Sequence, residues 1–231
     1  MILTFQPTPP VLAATLIAGD AFPVRRLFCI GRNYAAHARE MGQNPDREPP
    51  FFFTAWAETV VPDGSVIPYP QQTSDYHHEV ELVVAIGRSG RNVAAEDALA
   101  LVHGYAIGFD MTRRDLQSAA KDAGRPWDVA KNVEASKPLG PIHPAVGFDS
   151  SRGAITLAVN GAPKQAGDLS DMIWSVPEVI AHLSKFYRLE PGDLIYTGTP
   201  AGVGPVVPGD TLVGAIEGLG ELTVTIGSTA T

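Results

Sequence analysis

The chain has 231 residues, of which 45% are hydrophobic and 18% charged, so it can bury a full core and is not a disordered or solvating chain. Its 17 Lys and Arg stand against 25 Asp and Glu, a formal net charge of −8, and no more than two basic residues adjoin (Arg25-Arg26, Arg113-Arg114), which argues against a nucleic-acid partner. The 23 glycines and 20 prolines follow no three-residue period. They punctuate turns and point to a strand-rich chain.

Residues 1–20, with Pro7, Pro9 and Pro10, form an irregular or edge-strand lead-in to a domain over 21–231. The apolar patch from Val11 to Ala18 has no preceding basic region and is not a signal peptide. No apolar run reaches the roughly 18 residues of a membrane span, so the expected location is cytoplasmic. Arg26 to Gly31 is a short buried strand containing Cys29, the one cysteine, which can form neither an internal disulfide nor a cysteine zinc site. A short helix follows from Asn33, its N-cap, to Met41, with Gly42 closing it. Residues 43–75 are loop-rich around Phe51-Phe52-Phe53. Glu79 to Gly87 is a strand, Ala94 to Val102 a helix and Gly104 to Asp110 a strand. Thr112-Arg113-Arg114-Asp115 opens a helix as a capping box with Asp for the usual Glu, ending near Gly124 and Pro126. Ser175-Val176-Pro177-Glu178 is a full capping box, with Val179, Ile180, Leu183, Phe186 and Tyr187 at helical spacing. Two Pro-Gly-Asp turns, 191–193 and 208–210, precede hydrophobic runs, and Leu222 to Ile226 alternates. The class is α+β, rich in strands, with few and short helices.

His77-His78-Glu79-Val80-Glu81 carries the strongest chemical signal. Residues two apart on a strand share a face, so the Glu79 and Glu81 carboxylates lie side by side. The apolar run Leu82 to Ile86 takes this strand into a core. There a divalent cation is the common partner for two carboxylates, the alternative being an exposed strand start with two solvated glutamates. Asp110 shares a face with Ala106 and Gly108, whose small side chains would let another backbone approach and leave its carboxylate in a cavity. Taken alone, it would be a helix-start aspartate near Thr112. Three carboxylates without a thiolate make a hard oxygen site suited to Mg²⁺, Mn²⁺ or Ca²⁺.

His37 and Glu40, three apart on one helix face, form either a water-activating dyad or an ordinary exposed pair. Arg32 could meet an anionic group or lie on the surface. The Gly-rich stretch Thr197 to Gly204 lacks the spacing and the Lys-Ser/Thr ending of a phosphate loop, though its amides could hold a carboxylate. Lys131 is ambiguous.

Taken together and in order, several segments resemble the fumarylacetoacetate hydrolase family, in its short acylpyruvate-hydrolase branch. They are Gly31-Arg32-Asn33-Tyr34 with His37 and Glu40, His78-Glu79-Val80-Glu81, Gly108-Phe109-Asp110-Met111-Thr112 and Arg114-Asp115-Leu116-Gln117. Pro126-Trp127 with Ala130-Lys131, and Thr197-Gly198-Thr199-Pro200 before Gly202-Val203-Gly204, complete the set. Phe22 to Arg26 and Arg47 to Phe53 are most similar to members acting on fumarylpyruvate in gentisate breakdown.

The resemblance implies a strand-rich mixed β-roll with short peripheral helices, usually a homodimer. It implies Mg²⁺ or Mn²⁺ on Glu79, Glu81 and Asp110, and a catalytic group of His37, Glu40 and Lys131. It places Arg32, Gln117, Gly198 and Thr199 at the substrate. The implied activity is metal-dependent hydrolysis of a 2-oxo acid substrate, an acylpyruvate, at a carbon–carbon bond. Decarboxylation of oxaloacetate or isomerisation of unsaturated 2-oxo diacids are the alternatives on this scaffold, and a binding protein without turnover is the alternative outside it. One departure stands out: Ala55-Trp56 replaces the Lys-Pro of many relatives, removing a cation that would meet a distal substrate carboxylate.

Overall fold

The computed structural model describes residues 4, 8–16, 20–40 and 48–229, with Ala38 described by its backbone alone. Its centre is an eight-stranded mixed sheet in the order Phe51–Ala55, Leu27–Gly31, Leu194–Tyr196, Val80–Ile86, Val102–Phe109, Lys137–Leu139, Val60–Pro62, with His143–Pro144 also paired to Val102–Phe109. Alternation assigns the two faces. Leu82, Val84, Ile86, Tyr105, Ile107 and Phe109 join one core cluster, whereas Val83, Ala85, Ala106, Leu194 and Tyr196 join another. The first face packs on a five-stranded sheet ordered Ala162–Asp168, Ala154–Val159, Thr211–Ile216, Gly220–Thr229, Val66–Tyr69, and on Val179, Ile180 and Leu183. Glu81 and Asp110 fall in register with the second face, where Ala106 and Gly108 of the strand Val102–Phe109 precede Asp110.

Among the described residues four α-helices flank the sheets: α1 (Ala35–Glu40), α2 (Arg114–Asp122), α3 (Asp128–Lys131) and α4 (Val176–Phe186). A three-stranded sheet of Thr112–Arg113, Tyr76–His78 and Gly204–Pro205 closes the end of the central sheet beside α2. The lead-in supplies an edge strand, Leu12–Ala14, antiparallel to Ala21–Pro23. No helix among the described residues is long and apolar enough to cross a membrane.

Local signals hold where nothing distant competes. The Ser175 box caps α4, with the Glu178 carboxylate accepting from the Ser175 N–H at 3.0 Å. Gly192 and Gly209 take the positive φ that the two Pro-Gly-Asp turns require. Three expectations are corrected. Ala94 to Val102 is a 3₁₀ segment, Ala95–Leu101, whose buried residues Ala98 and Leu101 lie three apart, the period of that helix. Thr112 caps nothing: its hydroxyl donates to the Asp110 carbonyl at 2.9 Å, and the Asp115 carboxylate accepts from the Thr73 hydroxyl at 2.6 Å. Asn33 is a brace rather than an N-cap, donating to the Trp174 and Thr197 carbonyls and accepting the Trp174 N–H. Pro7, Met41, Gly42 and Arg47 lie outside the described residues.

Cys29 sits fully buried in the central sheet, and burial, reinforced by the Asp110 carboxylate, pushes its thiol well above the ordinary range. Folded protein at pH 8 is therefore expected to stay unlabelled by a thiol-disulfide reagent that labels the urea-unfolded chain stoichiometrically. Fast labelling of the folded state would contradict this burial.

Candidate active site

Val80–Ile86 and Val102–Phe109 pair antiparallel with Glu81 opposite Gly108 and Val80 opposite Phe109. The Asp110 N–H donates to the Glu79 carbonyl at 2.9 Å, so one residue beyond the ladder Glu79 faces Asp110. Strand alternation from Glu81 and this cross-strand pairing bring three buried carboxylates together, with one oxygen of each within 4.8 Å of the others. Gly108 makes the room expected of it, but for side chains: a Cβ there would lie 2.7 Å from the Tyr196 ring and 2.5 Å from Val83.

Like charges so close need compensation. Lys131, at the end of α3, places Nζ 2.8 Å from Glu79 Oε2 and 2.9 Å from Asp110 Oδ2. Lys137 Nζ, fully buried, lies 2.8 Å from Asp110 Oδ1 and donates to the Lys131 carbonyl at 2.7 Å. Arg114, at the start of α2, donates from Nη2 to Glu79 Oε1 and from Nη1 to Gln117 Oε1 at 2.6 Å. Burial alone would raise the Glu79 carboxyl, but Lys131 and Arg114 outweigh it and hold the group well below the usual carboxylate range. Burial likewise opposes the Lys131 charge, and Asp110 and Glu79 outweigh it, leaving the ammonium raised.

Glu81 differs. No cation pairs with it among the described residues. Its Oε2 accepts the Gly198 N–H at 2.8 Å, while burial first, then Asp110 and Glu79, push its carboxyl well above the usual range. A buried acid without a cation, beside two others in an all-oxygen donor set, fits a hard divalent ion.

His37 and Glu40 lie on one face of α1, with His37 Nδ1 3.2 Å from Glu40 Oε2. A carboxylate accepts in such a contact, so Nδ1 is its donor and Nε2 is left free of Glu40. Glu40 is anchored in turn by the Gly202 N–H at 3.1 Å. Gly202 has a φ of 94°, and a Cβ there would collide with the Lys164 carbonyl, so this loop needs glycine.

A cavity of about 60 Å³ joins Arg32, His37, Glu79, Glu81, Asp110, Arg114, Gln117, Lys131 and Thr199. Among the expected site residues, Glu40 reaches it through His37 and Gly198 through Glu81. Arg114 orients the Gln117 amide so that its NH₂ is left to donate. The Thr199 hydroxyl gives its proton to the Val80 carbonyl at 2.8 Å and accepts from Gln165 Nε2 at 2.8 Å.

Arg114, Lys137 and Gln165 join the site only through the fold. A Lys or Gln in the second half of a chain carries no local mark of a partner near Asp110 or Val80. Gln165 accepts from the His78 ring and the Val80 N–H at 3.0 and 3.1 Å, and donates to Thr199 and the Pro200 carbonyl. Gln165→Leu should strand four buried polar groups and cost about 3 kcal/mol of stability in urea unfolding. A loss below about 1 kcal/mol would show that the network is not held there.

Residues 26–227 match the family model described as Fumarylacetoacetate (FAA) hydrolase C-terminal. The chain is 49% identical, over 81% of its length and 98% of the relative's, to a fumarylpyruvate hydrolase of Ralstonia sp. It is 42% identical to oxaloacetate tautomerase FAHD1, mitochondrial, of Homo sapiens, over 86% of this chain and 90% of that one. The crystal structure of fumarylpyruvate hydrolase from Pseudomonas aeruginosa in complex with Mn²⁺ and pyruvate superposes with a TM-score of 0.96 at 48% identity, covering 98% of this chain and 100% of that chain. Sequence and architecture agree, and the chain belongs to the fumarylacetoacetate hydrolase family.

Proposed function

We propose that this protein is a divalent-metal-dependent hydrolase that cleaves a carbon–carbon bond in acylpyruvates, with fumarylpyruvate giving fumarate and pyruvate as in gentisate breakdown. The observation that carries this reading is the meeting, in one buried cavity, of three carboxylates and a histidine whose Nδ1 is held by a carboxylate. The Mn²⁺ and pyruvate of the Pseudomonas aeruginosa relative support it.

Glu79, Glu81 and Asp110 would hold Mg²⁺ or Mn²⁺, which when bound supplies Lewis-acid polarisation of a 2-oxo acid's oxygens. His37 Nε2 takes a proton from the water that attacks the carbonyl on the acyl side, and Glu40 stabilises the imidazolium formed. The bond to the pyruvate unit breaks with its electron pair staying on that unit, which leaves as an enolate and is then protonated. The Lys131 ammonium lies where it can offset that negative charge. Gln117 Nε2, Arg32 and the backbone around Gly198 and Thr199 position the substrate's oxygens. The domain spans 21–231 after the lead-in of 1–20, functions as a homodimer and works in the cytoplasm.

Keto–enol exchange or decarboxylation of oxaloacetate would draw on the same residues, and the human tautomerase relative favours keeping that reading. The test follows the ultraviolet decay of the fumarylpyruvate enol by metal-stripped protein titrated with Mn²⁺ or Mg²⁺. Metal-dependent decay yielding fumarate and pyruvate in equal amounts is expected. No decay, with CO₂ or enol exchange from oxaloacetate, would replace the hydrolase reading.

A further inference from the structure

Beside the carboxylate cavity lies a second and larger one, of about 430 Å³, and Arg32, Phe53, Lys121 and Trp127 wall both. Arg114, Gln117 and Lys121 follow one another at helical spacing on a single face of α2, and all three line the inner cavity. From Gln117 to Lys121 the helix advances about 6 Å, the scale of a four-carbon acyl arm. Arg114 is committed to Glu79 and Gln117. No described carboxylate pairs with Lys121, Arg32 or Arg125 of the outer wall, and Asp128 on that wall accepts instead from Asn132.

Arg32 adopts φ 61°, a region that non-glycine residues rarely hold, and its guanidinium stands 5.8 Å over the Phe51 ring. Phe51 and Phe53 each pack edge-on or tilted against Trp127, with centroids 5.1 and 5.8 Å apart, and these rings give the outer cavity an apolar wall. In a protein of net charge −8, Lys121 and Arg32, which line both cavities beside these rings without a described carboxylate partner, make this wall locally positive. Ala55 is buried and Trp56 is exposed, so neither supplies the charge that a Lys-Pro pair would bring.

We propose that Lys121, with Arg32, binds the distal carboxylate of the acyl arm, so that this protein selects dicarboxylic acylpyruvates over those with a neutral arm. This rests on the acylpyruvate reading and names its substrate class. The cation is supplied from α2 rather than from the strand Phe51–Ala55.

The experiment compares kcat/KM for fumarylpyruvate and for acetylpyruvate, whose arm is uncharged, in wild type, Lys121→Met and Lys121→Arg. Wild type should favour fumarylpyruvate, Lys121→Met should cut that preference about tenfold or more through KM, and Lys121→Arg should restore most of it. A preference that survives Lys121→Met, or equal losses on both substrates, overturns the proposal. Calorimetry provides a readout free of turnover, with fumarate set against crotonate, in which a methyl group replaces one carboxylate. Wild type should bind fumarate about tenfold more tightly, and Lys121→Met should erase the difference. If wild type hydrolyses neither acylpyruvate, the reaction reading fails by itself, and this binding difference still decides the role of Lys121.

Discussion

Glu81→Gln is expected to abolish divalent-cation binding and hydrolysis together, with kcat/KM down about a thousandfold or more, while the fold survives. Glu79 and Asp110 already have cations at 2.8–2.9 Å, whereas Glu81 has none and is pushed towards its neutral form by burial and its two like-charged neighbours. Glutamine imitates that neutral form in shape and can still accept the Gly198 N–H, but it cannot supply the missing negative charge. The sign of the stability effect follows. A carboxyl whose folded pKa is raised destabilises the metal-free fold as pH climbs above its unfolded value, near 4.3. Metal-free Glu81→Gln should therefore unfold at the same or a higher temperature than wild type at pH 8. Mn²⁺ should raise the wild-type melting temperature, release protons on binding and bind more tightly as pH rises, and the variant should show none of these effects. Unchanged Mn²⁺ affinity in the variant would remove Glu81 from the metal site.

His37→Ala should separate what Glu81→Gln joins. The ring lines the cavity but makes no hydrogen bond to the three carboxylates, so Mn²⁺ affinity should stay within a few-fold while kcat falls about a thousandfold. Glu40→Gln should be milder, about tenfold to a hundredfold in kcat, because an amide oxygen still accepts the Nδ1 hydrogen but no longer stabilises an imidazolium. Calorimetry with Mn²⁺ and then pyruvate reads binding, and the enol decay reads turnover. Wild-type turnover by His37→Ala would show that another group activates the water.

The two variants differ because their sites are assembled differently. The His37–Glu40 contact is made within one helix turn, and the Glu79–Glu81 relation within one strand. Both are visible in the spacing, as are the Ser175 box and the apolar stripe of α4. Asp110 joins the glutamates only because Val102–Phe109 pairs with Val80–Ile86 in the register that sets Glu81 opposite Gly108. A slip of one residue would send Asp110 to the opposite face.

Short-range spacing thus settles the strand-rich class, the shared face of the two glutamates, the contact of His37 with Glu40 and most turns, because alternation, helical period and capping act within four residues. Side-chain partners are another matter. Asn33 and Thr112 carry capping chemistry, yet Asn33 is engaged by Trp174 and Thr197, and Thr112 by the Asp110 carbonyl. A polar group that is being buried must take whichever donor or acceptor the fold brings within reach. The same rule places Lys137 on Asp110, Arg114 on Glu79 and Gln165 under Thr199. Sheet pairing decides these contacts, since each spans from 27 to 35 positions of the chain and none leaves a mark in the residues beside it.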